Sequence, residues 1–250
     1  MKKPKHIGII MDGNGRWAQA RKHKRLFGHV RGAQVAKTII EGCSRREIKH
    51  LTLFAFSTEN WFRLKDEVNF LMKLLSHHLN REQESLIKNN IQFRCIGHIE
   101  QLPEHVYNTV LHTIQETSHC TGMILTFALS YGGRQEIVDA TRSIATLVHE
   151  GKIKPEDITN DVFSAHLESS FLPNPDLIIR TSGEFRLSNF YLWSAAYSEL
   201  LIIEKMWPDF SLVDLDAAIQ EFGERERRFG KINEQLHIPY PESSKTISRI

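Results

Sequence analysis

His6-Ile7-Gly8-Ile9-Ile10-Met11-Asp12-Gly13-Asn14-Gly15-Arg16-Trp17 is the stretch on which the fold turns. The run from His6 to Met11 is nearly continuous in apolar residues and stops abruptly at Asp-Gly-Asn-Gly. A short apolar run closed by turn residues reads as a strand buried on both faces. Comparable runs recur at Leu51–Phe56, Ile91–Ile96, Met123–Leu129, Asp176–Ile179 and Leu200–Ile203. Longer amphipathic stretches separate them and predict helices over Gly28–Ile48, Leu64–Lys88, the residues after Pro103, Gly133–His149, Pro155–Leu167 and Leu212–Arg228. Strands alternating with helices imply βαβ units. The expected class is therefore α/β, with a central, mostly parallel six-stranded sheet flanked by helices. No stretch rich in Pro, Gly or Ser divides the chain, so a single domain is expected over residues 1–250.

Bulk properties narrow the function. The net charge is +2 over 250 residues, which argues against a nucleic-acid binder working through bulk electrostatics. Any anion site must come from local clusters. Cys43, Cys95 and Cys120 lie far apart and match no metal-ligand spacing, which predicts reduced thiols in a cytoplasmic protein. Met1-Lys2-Lys3-Pro4-Lys5 is basic, but the apolar run behind it is too short for a signal sequence, and no stretch approaches a membrane span.

In open parallel sheets, ligands bind where strands end. The first such loop, Asp12 to Arg16, has two glycines that permit close backbone approach, and successive N–H groups able to cradle an anion. Arg16 adds a bidentate phosphate donor. Asp12 would repel a phosphate unless a cation lies between them, and magnesium takes a carboxylate and phosphate oxygens together. Gly13-Asn14-Gly15-Arg16-Trp17-Ala18 also matches the G-x-G-x-x-A dinucleotide fingerprint. The acid that should hold a ribose is missing from Arg31–Ile40, which leaves a nicotinamide or flavin oxidoreductase a poor second reading. Arg25 and His29, four residues apart, share a helix face and could close over a diphosphate, whereas Arg21, Lys22 and Lys24 read as a solvated basic face.

The second loop, Ser57 to Arg63, gathers hydroxyls, Glu59, Asn60 and Arg63, with Trp61 and Phe62 as an apolar wall; Ser57 and Thr58 serve equally well as helix caps. The third, Arg180 to Asn189, holds Arg180, Arg186 and Ser188 and makes a second anion site. Glu199 is either a second metal carboxylate or a surface acid. Val68, Leu71, Leu74, Leu75 and Leu79 recur at helical spacing. They pack a core or line an apolar channel in which each buried CH₂ is worth about 0.8 kcal/mol. Two basic sites and separated carboxylates suit two phosphorylated substrates and one metal. No G-x-S-x-G elbow or G-x-x-x-x-G-K-[ST] loop is present, which excludes the common serine hydrolase and P-loop chemistries.

Taken together, HIGIIMDGNGRWA, RLFGHVRGA, LTLFAFSTENWFR, SYGGR, PDLIIRTSGEFRLSNFYLWSAAYSEL, WPDF and ERERRFG, in this order from His6 to about Gly230, closely resemble the cis-prenyltransferases, the isoprenyl transferases typified by bacterial undecaprenyl diphosphate synthase. The resemblance implies a homodimeric, magnesium-dependent cytoplasmic enzyme with an apolar tunnel. It implies condensation of isopentenyl diphosphate onto an allylic diphosphate such as farnesyl diphosphate, giving a long cis-polyprenyl product, with peripheral contact at the inner face of the membrane for product release. By position, Asp12 and Glu199 would hold the metal. Gly13, Asn14, Gly15 and Arg16 would cradle the allylic diphosphate, with Trp17, Arg25 and His29 nearby. Ser57, Thr58 and Glu59 would order the substrates beside Trp61 and Arg63. Arg180, Arg186, Leu187 and Ser188 would bind isopentenyl diphosphate. Asn60 stands where the family places a proton acceptor. As a neutral amide it suits better the orienting of a proton path through His29, Ser57 or a phosphate oxygen. Phe185 stands where certain members have histidine. A D-D-x-x-D motif is absent, unlike in the trans-type synthases, and Asp12 is present, unlike in non-catalytic partner subunits. The chain length of the product is open, so a shorter-chain synthase stays an alternative. Asp12→Ala is expected to fold normally and lose turnover.

Overall fold

The computed structural model describes residues 2–225. The end of the resemblance at Gly230, most of ERERRFG, the tail beyond it and the last turn expected up to Arg228 lie outside the described residues. Six strands form one sheet: β1 (His6–Ile10), β2 (His50–Ser57), β3 (Ile91–Ile96), β4 (Met123–Tyr131), β5 (Leu177–Thr181) and β6 (Glu199–Ile203). Their order is β3-β4-β2-β1-β5-β6, and every pairing is parallel. Seven α-helices connect and cover them: α1 (Asn14–Ala20), α2 (Arg25–Arg45), α3 (Lys65–Lys88), α4 (Glu104–Glu116), α5 (Gly133–His149), α6 (Asn160–Ala165) and α7 (Leu212–Glu224).

The strand order fixes where a ligand belongs. From β1 the chain builds the sheet towards β3, then returns to the other side of β1 with β5 and β6. The point of reversal lies between β1 and β5, and their carboxyl ends open a crevice there. Alternation along the strands divides the core. Ile7 and Ile9 join Leu53 and Ile179 in the larger cluster, while Ile10 and Ile178 turn to the other face against Phe190 and Tyr191.

Two elements differ from expectation. α1 was expected as loop, because two glycines and a basic run mask a seven-residue helix. The Pro155–Leu167 stretch is not one helix: a 3₁₀ turn at Pro155–Asp157 is followed by α6, restarted by Thr159, whose hydroxyl accepts the Val162 N–H. An Asx- or Thr-type cap interrupts a helix as readily as it begins one. Gly28 explains how α1 sits on α2. A Cβ there would lie 1.8 Å from the Asn14 carbonyl oxygen, so only glycine admits the approach.

The three cysteines are free thiols. Burial pushes the Cys43 thiol up to about 12, which keeps it unreactive. No described helix is long and apolar enough to cross a membrane.

His6 is fully buried. Its Nδ1 donates to the Pro173 carbonyl (2.6 Å), and its Nε2 accepts from the Thr52 hydroxyl (2.8 Å). Burial pushes its pKa down to about 4, against the carbonyl bond that favours the charged form. The unfolded chain therefore takes up a proton near pH 6.5 that the folded chain refuses until about pH 4. Stability contributed by His6 is complete above pH 6.5 and falls through that window by about 3 kcal/mol. Urea unfolding at stepped pH should show this slope, and His6→Gln should flatten it.

Candidate active site

Asp12 follows β1 directly, and its backbone is clamped from β5. The Asp12 N–H donates to the Thr181 hydroxyl oxygen (2.9 Å), that hydroxyl donates to the Asp12 carbonyl (2.8 Å), and the Trp207 N–H also reaches this carbonyl (2.9 Å). Gly13, at φ +97°, turns the chain into α1. A Cβ at Gly13 would fall 2.0 Å from the Ser182 hydroxyl. The carboxylate is held as firmly as the backbone. Oδ1 accepts the Gly13 N–H (2.6 Å) and lies 3.3 Å from Arg16 Nη2, and Oδ2 accepts from Arg180 Nη2 (2.8 Å). Burial raises the Asp12 pKa, but the Arg180 bond, the Gly13 amide and the two guanidinium charges outweigh it and hold the group below the usual carboxylate range. Asp12 is therefore an anion flanked by cations.

Arg180 is 4% exposed. Its guanidinium spans Asp12 on one side and, through Nη1, the Arg186 carbonyl (2.5 Å) and the Ser188 hydroxyl (2.7 Å) on the other. Ser188 has φ +49°, an uncommon conformation that bends the loop back on the arginine. Glu184 joins the remaining cations, accepting from Arg16 Nη1 (2.7 Å) and from Arg186. The hydrogen bond from Arg186, and next that from Arg16, hold Glu184 below the usual carboxylate range.

Loops after β1, β2 and β5 meet in one cleft lined by Asp12, Asn14, His29, Ser57, Glu59, Asn60, Arg63, Arg180, Ser188 and Asn189. Ser57 caps the 3₁₀ turn Thr58–Phe62, and its N–H donates to Asn60 Oδ1 (3.1 Å). Glu59 accepts from Asn189 Nδ2 (2.8 Å) and is held ionised, its loop hydrogen bonds outweighing burial. His29 is pushed down to about 4 by burial first and by the Arg63 charge second, so its imidazole is neutral. Asn14 Oδ1, His29 Nε2, Arg180 Nε and Ser182 Oγ are buried with no hydrogen-bond partner among the described residues. Such atoms are rare in folded proteins, and these four carry unused capacity to bind polar ligand atoms beside the cleft.

A second cavity opens from the first. Its volume is about 170 Å³, and it lies between α2, α3 and the β2–β4 face, sharing Met11, Asn14, His29, Ala55 and Leu71 with the polar cleft. Leu71, Leu74, Leu75 and Leu79 line it, with Ile40, Phe56, Met72, Leu86 and Phe127, while Val68 packs in the core. The leucine row thus serves both core and cavity. An anion site opening into an apolar chamber suits an amphiphile with a charged head and a hydrocarbon tail.

The comparisons agree with that chemistry. The family model described as putative undecaprenyl diphosphate synthase matches residues 10–230. The chain belongs to the isoprenyl transferase family. An isoprenyl transferase of Chlorobaculum tepidum is 48% identical over 93% of this chain and 88% of its own length. The ditrans,polycis-undecaprenyl-diphosphate synthase of Micrococcus luteus, specific for (2E,6E)-farnesyl diphosphate, is 48% identical over 91% of each chain. Among solved structures, lavandulyl diphosphate synthase from Lavandula x intermedia, in complex with dimethylallyl diphosphate, superposes with a TM-score of 0.90 at 38% identity, over 92% of this chain and 99% of that one. A probable undecaprenyl diphosphate synthase from Campylobacter jejuni gives 0.76 at 34% identity, over 92% and 100%.

Within this isoprenyl transferase, several expected site residues stand apart from the cleft. Trp17 is buried and donates outwards to Asp209 (2.7 Å). Trp61 donates to Ser130 (2.9 Å) and, with Thr58, lines a neighbouring hollow. Phe62, expected with Trp61 as an apolar wall, is 91% exposed. Leu187 packs towards the smaller core. Arg25 does not line the cleft but lies over α1, its guanidinium 2.7 Å from where a Gly15 Cβ would stand. Glu199 starts β6, paired with Leu177, whereas Arg180 pairs with Ile202. It therefore lies at the opposite end of the sheet, about 10 Å of strand below Arg180, bonded to Arg225 (3.0 Å). Sequence reasoning counted Thr181 only toward the second anion site and gave Glu184 and Asn189 no role. Only Glu184 carried a signal, as the lone acid between two loop arginines.

Proposed function

We propose that this isoprenyl transferase condenses isopentenyl diphosphate onto an allylic diphosphate, with farnesyl diphosphate as the primer and a long cis-polyprenyl diphosphate as the product. The observation that carries this reading is the junction of the two cavities: Asp12, Arg16 and Arg180 at the carboxyl ends of β1 and β5, opening onto an apolar chamber. The undecaprenyl synthase of Micrococcus luteus supports an undecaprenyl product.

The allylic diphosphate lies against the first turn of α1, where the N–H groups of Asn14, Gly15 and Arg16 have no carbonyl behind them in the helix. Arg16, Arg25 and His29 close over it. Arg180, Arg186 and Ser188 take isopentenyl diphosphate, and Ser57, Glu59 and Arg63 align the two substrates. The growing tail enters the chamber between α2 and α3, which acts as the tunnel.

Magnesium suits this donor set. Asp12 would hold the ion, with the substrate's phosphate oxygens and water able to complete its ligands, as magnesium commonly requires. When bound, it supplies charge neutralisation to the departing diphosphate. Arg16 and the α1 amides stabilise the same developing charge, while the apolar chamber keeps water from the allylic carbon. Glu199 lies at the far end of β6 from Asp12's neighbour Arg180, so it would reach a metal at Asp12 only from a second copy of the chain, as a homodimer could provide. Asn60 has its acceptor oxygen occupied by the Ser57 N–H. It therefore acts by orientation, with the proton lost from the carbon beside the cationic centre, as the cis double bond forms, passing to His29 or a phosphate oxygen.

Incubation with radiolabelled isopentenyl diphosphate, farnesyl diphosphate and magnesium, followed by sizing of the products, tests the proposal. Long cis-polyprenyl diphosphates, lost on chelation, are expected. Binding of both diphosphates without turnover would instead mark a partner subunit.

A further inference from the structure

The 3₁₀ turn Thr58–Phe62 after β2 has two faces. Side chains three apart in such a turn lie on one side. Ser57, Asn60 and Arg63 accordingly line the cleft, whereas Thr58 and Trp61 face a hollow behind it, and Glu59 borders both. The resemblance sets Trp61 beside the substrates. In the structure it stands behind the turn, on the side away from them.

What receives Trp61 there is Ser130, at the end of β4. The β2–β4 register runs Phe54 with Ala128, Phe56 with Leu129 and Ser57 with Tyr131, so Ala55 and then Ser130 are unmatched in this ladder. Irregularities of this kind beside active sites re-aim a side chain. Ser130 is fully buried and has φ +48°, a conformation uncommon for serine and freely adopted by glycine. Its hydroxyl oxygen accepts the Trp61 indole N–H (2.9 Å) and donates onward to Gln101 Oε1 (2.8 Å). The Trp61 ring also meets Phe56 edge-on, with centroids 4.9 Å apart. A serine kept in left-handed backbone, where glycine would relieve the strain, points to a use for its hydroxyl. The hydrogen-bonded chain from Gln101 through Ser130 to Trp61 ends on the back of the turn whose front lines the cleft.

We propose that Ser130 is a positioning residue for the condensation, acting through Trp61. Its hydroxyl fixes the indole, and the indole fixes the angle at which Ser57, Glu59 and Arg63 are presented over the cleft. This role rests on the reaction proposed above, and it makes Trp61 a strut rather than a substrate contact. The turn keeps a second tie, from Glu59 to Asn189 Nδ2 (2.8 Å), so loss of the strut loosens the turn without unfolding it. A displacement of about 1 Å in aligning groups costs up to roughly 100-fold in rate, and with one tie remaining the expected loss is about ten-fold.

Ser130→Gly and Trp61→Phe in the full chain test it. Glycine removes the hydroxyl and relieves the backbone, while phenylalanine keeps a ring against Phe56 and removes the N–H. Each should lower kcat by about ten-fold and leave KM for farnesyl diphosphate, held by the first loop, within about two-fold of wild type. The double variant should be no slower than either single one, because both remove the same bond. The melting temperature of Ser130→Gly should stay close to that of wild type, since relief of φ offsets the lost bond. Hydrogen exchange read by mass spectrometry should quicken over residues 57–63 in both variants and stay unchanged over residues 12–16. A wild-type kcat in Ser130→Gly, additive losses in the double variant, or unchanged exchange over residues 57–63 would each overturn the role. A raised KM in Trp61→Phe alone would overturn it in favour of direct substrate contact. A wild-type chain that forms no prenyl product would overturn the underlying reaction instead, and the exchange measurement would still decide whether Ser130 holds the turn.

Discussion

Asp12→Asn is expected to lower the turnover of farnesyl and isopentenyl diphosphates by about a thousand-fold while the fold persists. Asparagine keeps the size of the side chain and an oxygen for the Gly13 N–H. It removes the carboxylate proposed to hold magnesium against the leaving diphosphate, and losing a preorganised electrostatic contact of this kind costs roughly 10²–10³ in kcat, more where a metal goes with it. Steady-state kinetics with circular dichroism on the same samples checks both halves. Asp12→Ala is a harsher change than the sequence suggested. Arg180 is 4% exposed and would lose its only charged partner among the described residues, keeping the Arg186 carbonyl and the Ser188 hydroxyl. Leaving a buried cation short of an acceptor costs about 1–3 kcal/mol, so the alanine variant should also melt several degrees lower.

Arg180→Lys is expected to raise KM for isopentenyl diphosphate roughly a hundred-fold. Lysine retains the charge but not the fork. The guanidinium reaches Asp12 and Ser188 at once, with Nε still unpaired, and one ammonium cannot cover those directions. Arg186→Lys, at an exposed position whose contribution to Arg180 is a backbone carbonyl, should cost clearly less. Equal losses in the two variants would mean that the buried fork is not the main isopentenyl diphosphate contact. Each KM is read from initial rates at saturating farnesyl diphosphate.

Much of the sheet was legible because apolar runs bounded by turn residues leave few alternatives. The Ile91–Ile96 strand and the Gly133–His149 helix have the bounds read from the sequence. The loops after β1, β2 and β5 do converge, because parallel strands place all carboxyl ends on one edge. Glu199 marks what a linear reading misses. Its distance along the chain from Arg180 says nothing about which end of β6 it occupies; the Leu177–Glu199 register decides that. Trp17 and Trp61 stand beside cleft residues in sequence, yet their indole N–H groups are drawn away to Asp209 and Ser130. Helix α1 was masked by Gly13 and Gly15, whose need is set by contacts with Ser182 and Arg25, far off in the chain or on the next helix. The leucine spacing of α3 announced an apolar face, but only the small residues Gly32, Ala33 and Ala36 opposite it leave room for a cavity.

Asp12 is the centre of this account, and the linkage between magnesium and diphosphate at that residue is its most direct measure. Calorimetric titration of farnesyl thiodiphosphate, which cannot ionise readily, with and without magnesium, compares wild type with Asp12→Asn. Magnesium should tighten wild-type binding by at least roughly ten-fold, a coupling of about 1.4 kcal/mol, and should leave the asparagine variant nearly unchanged. Equal tightening in both proteins would contradict the assignment of Asp12 as the carboxylate that joins metal to substrate.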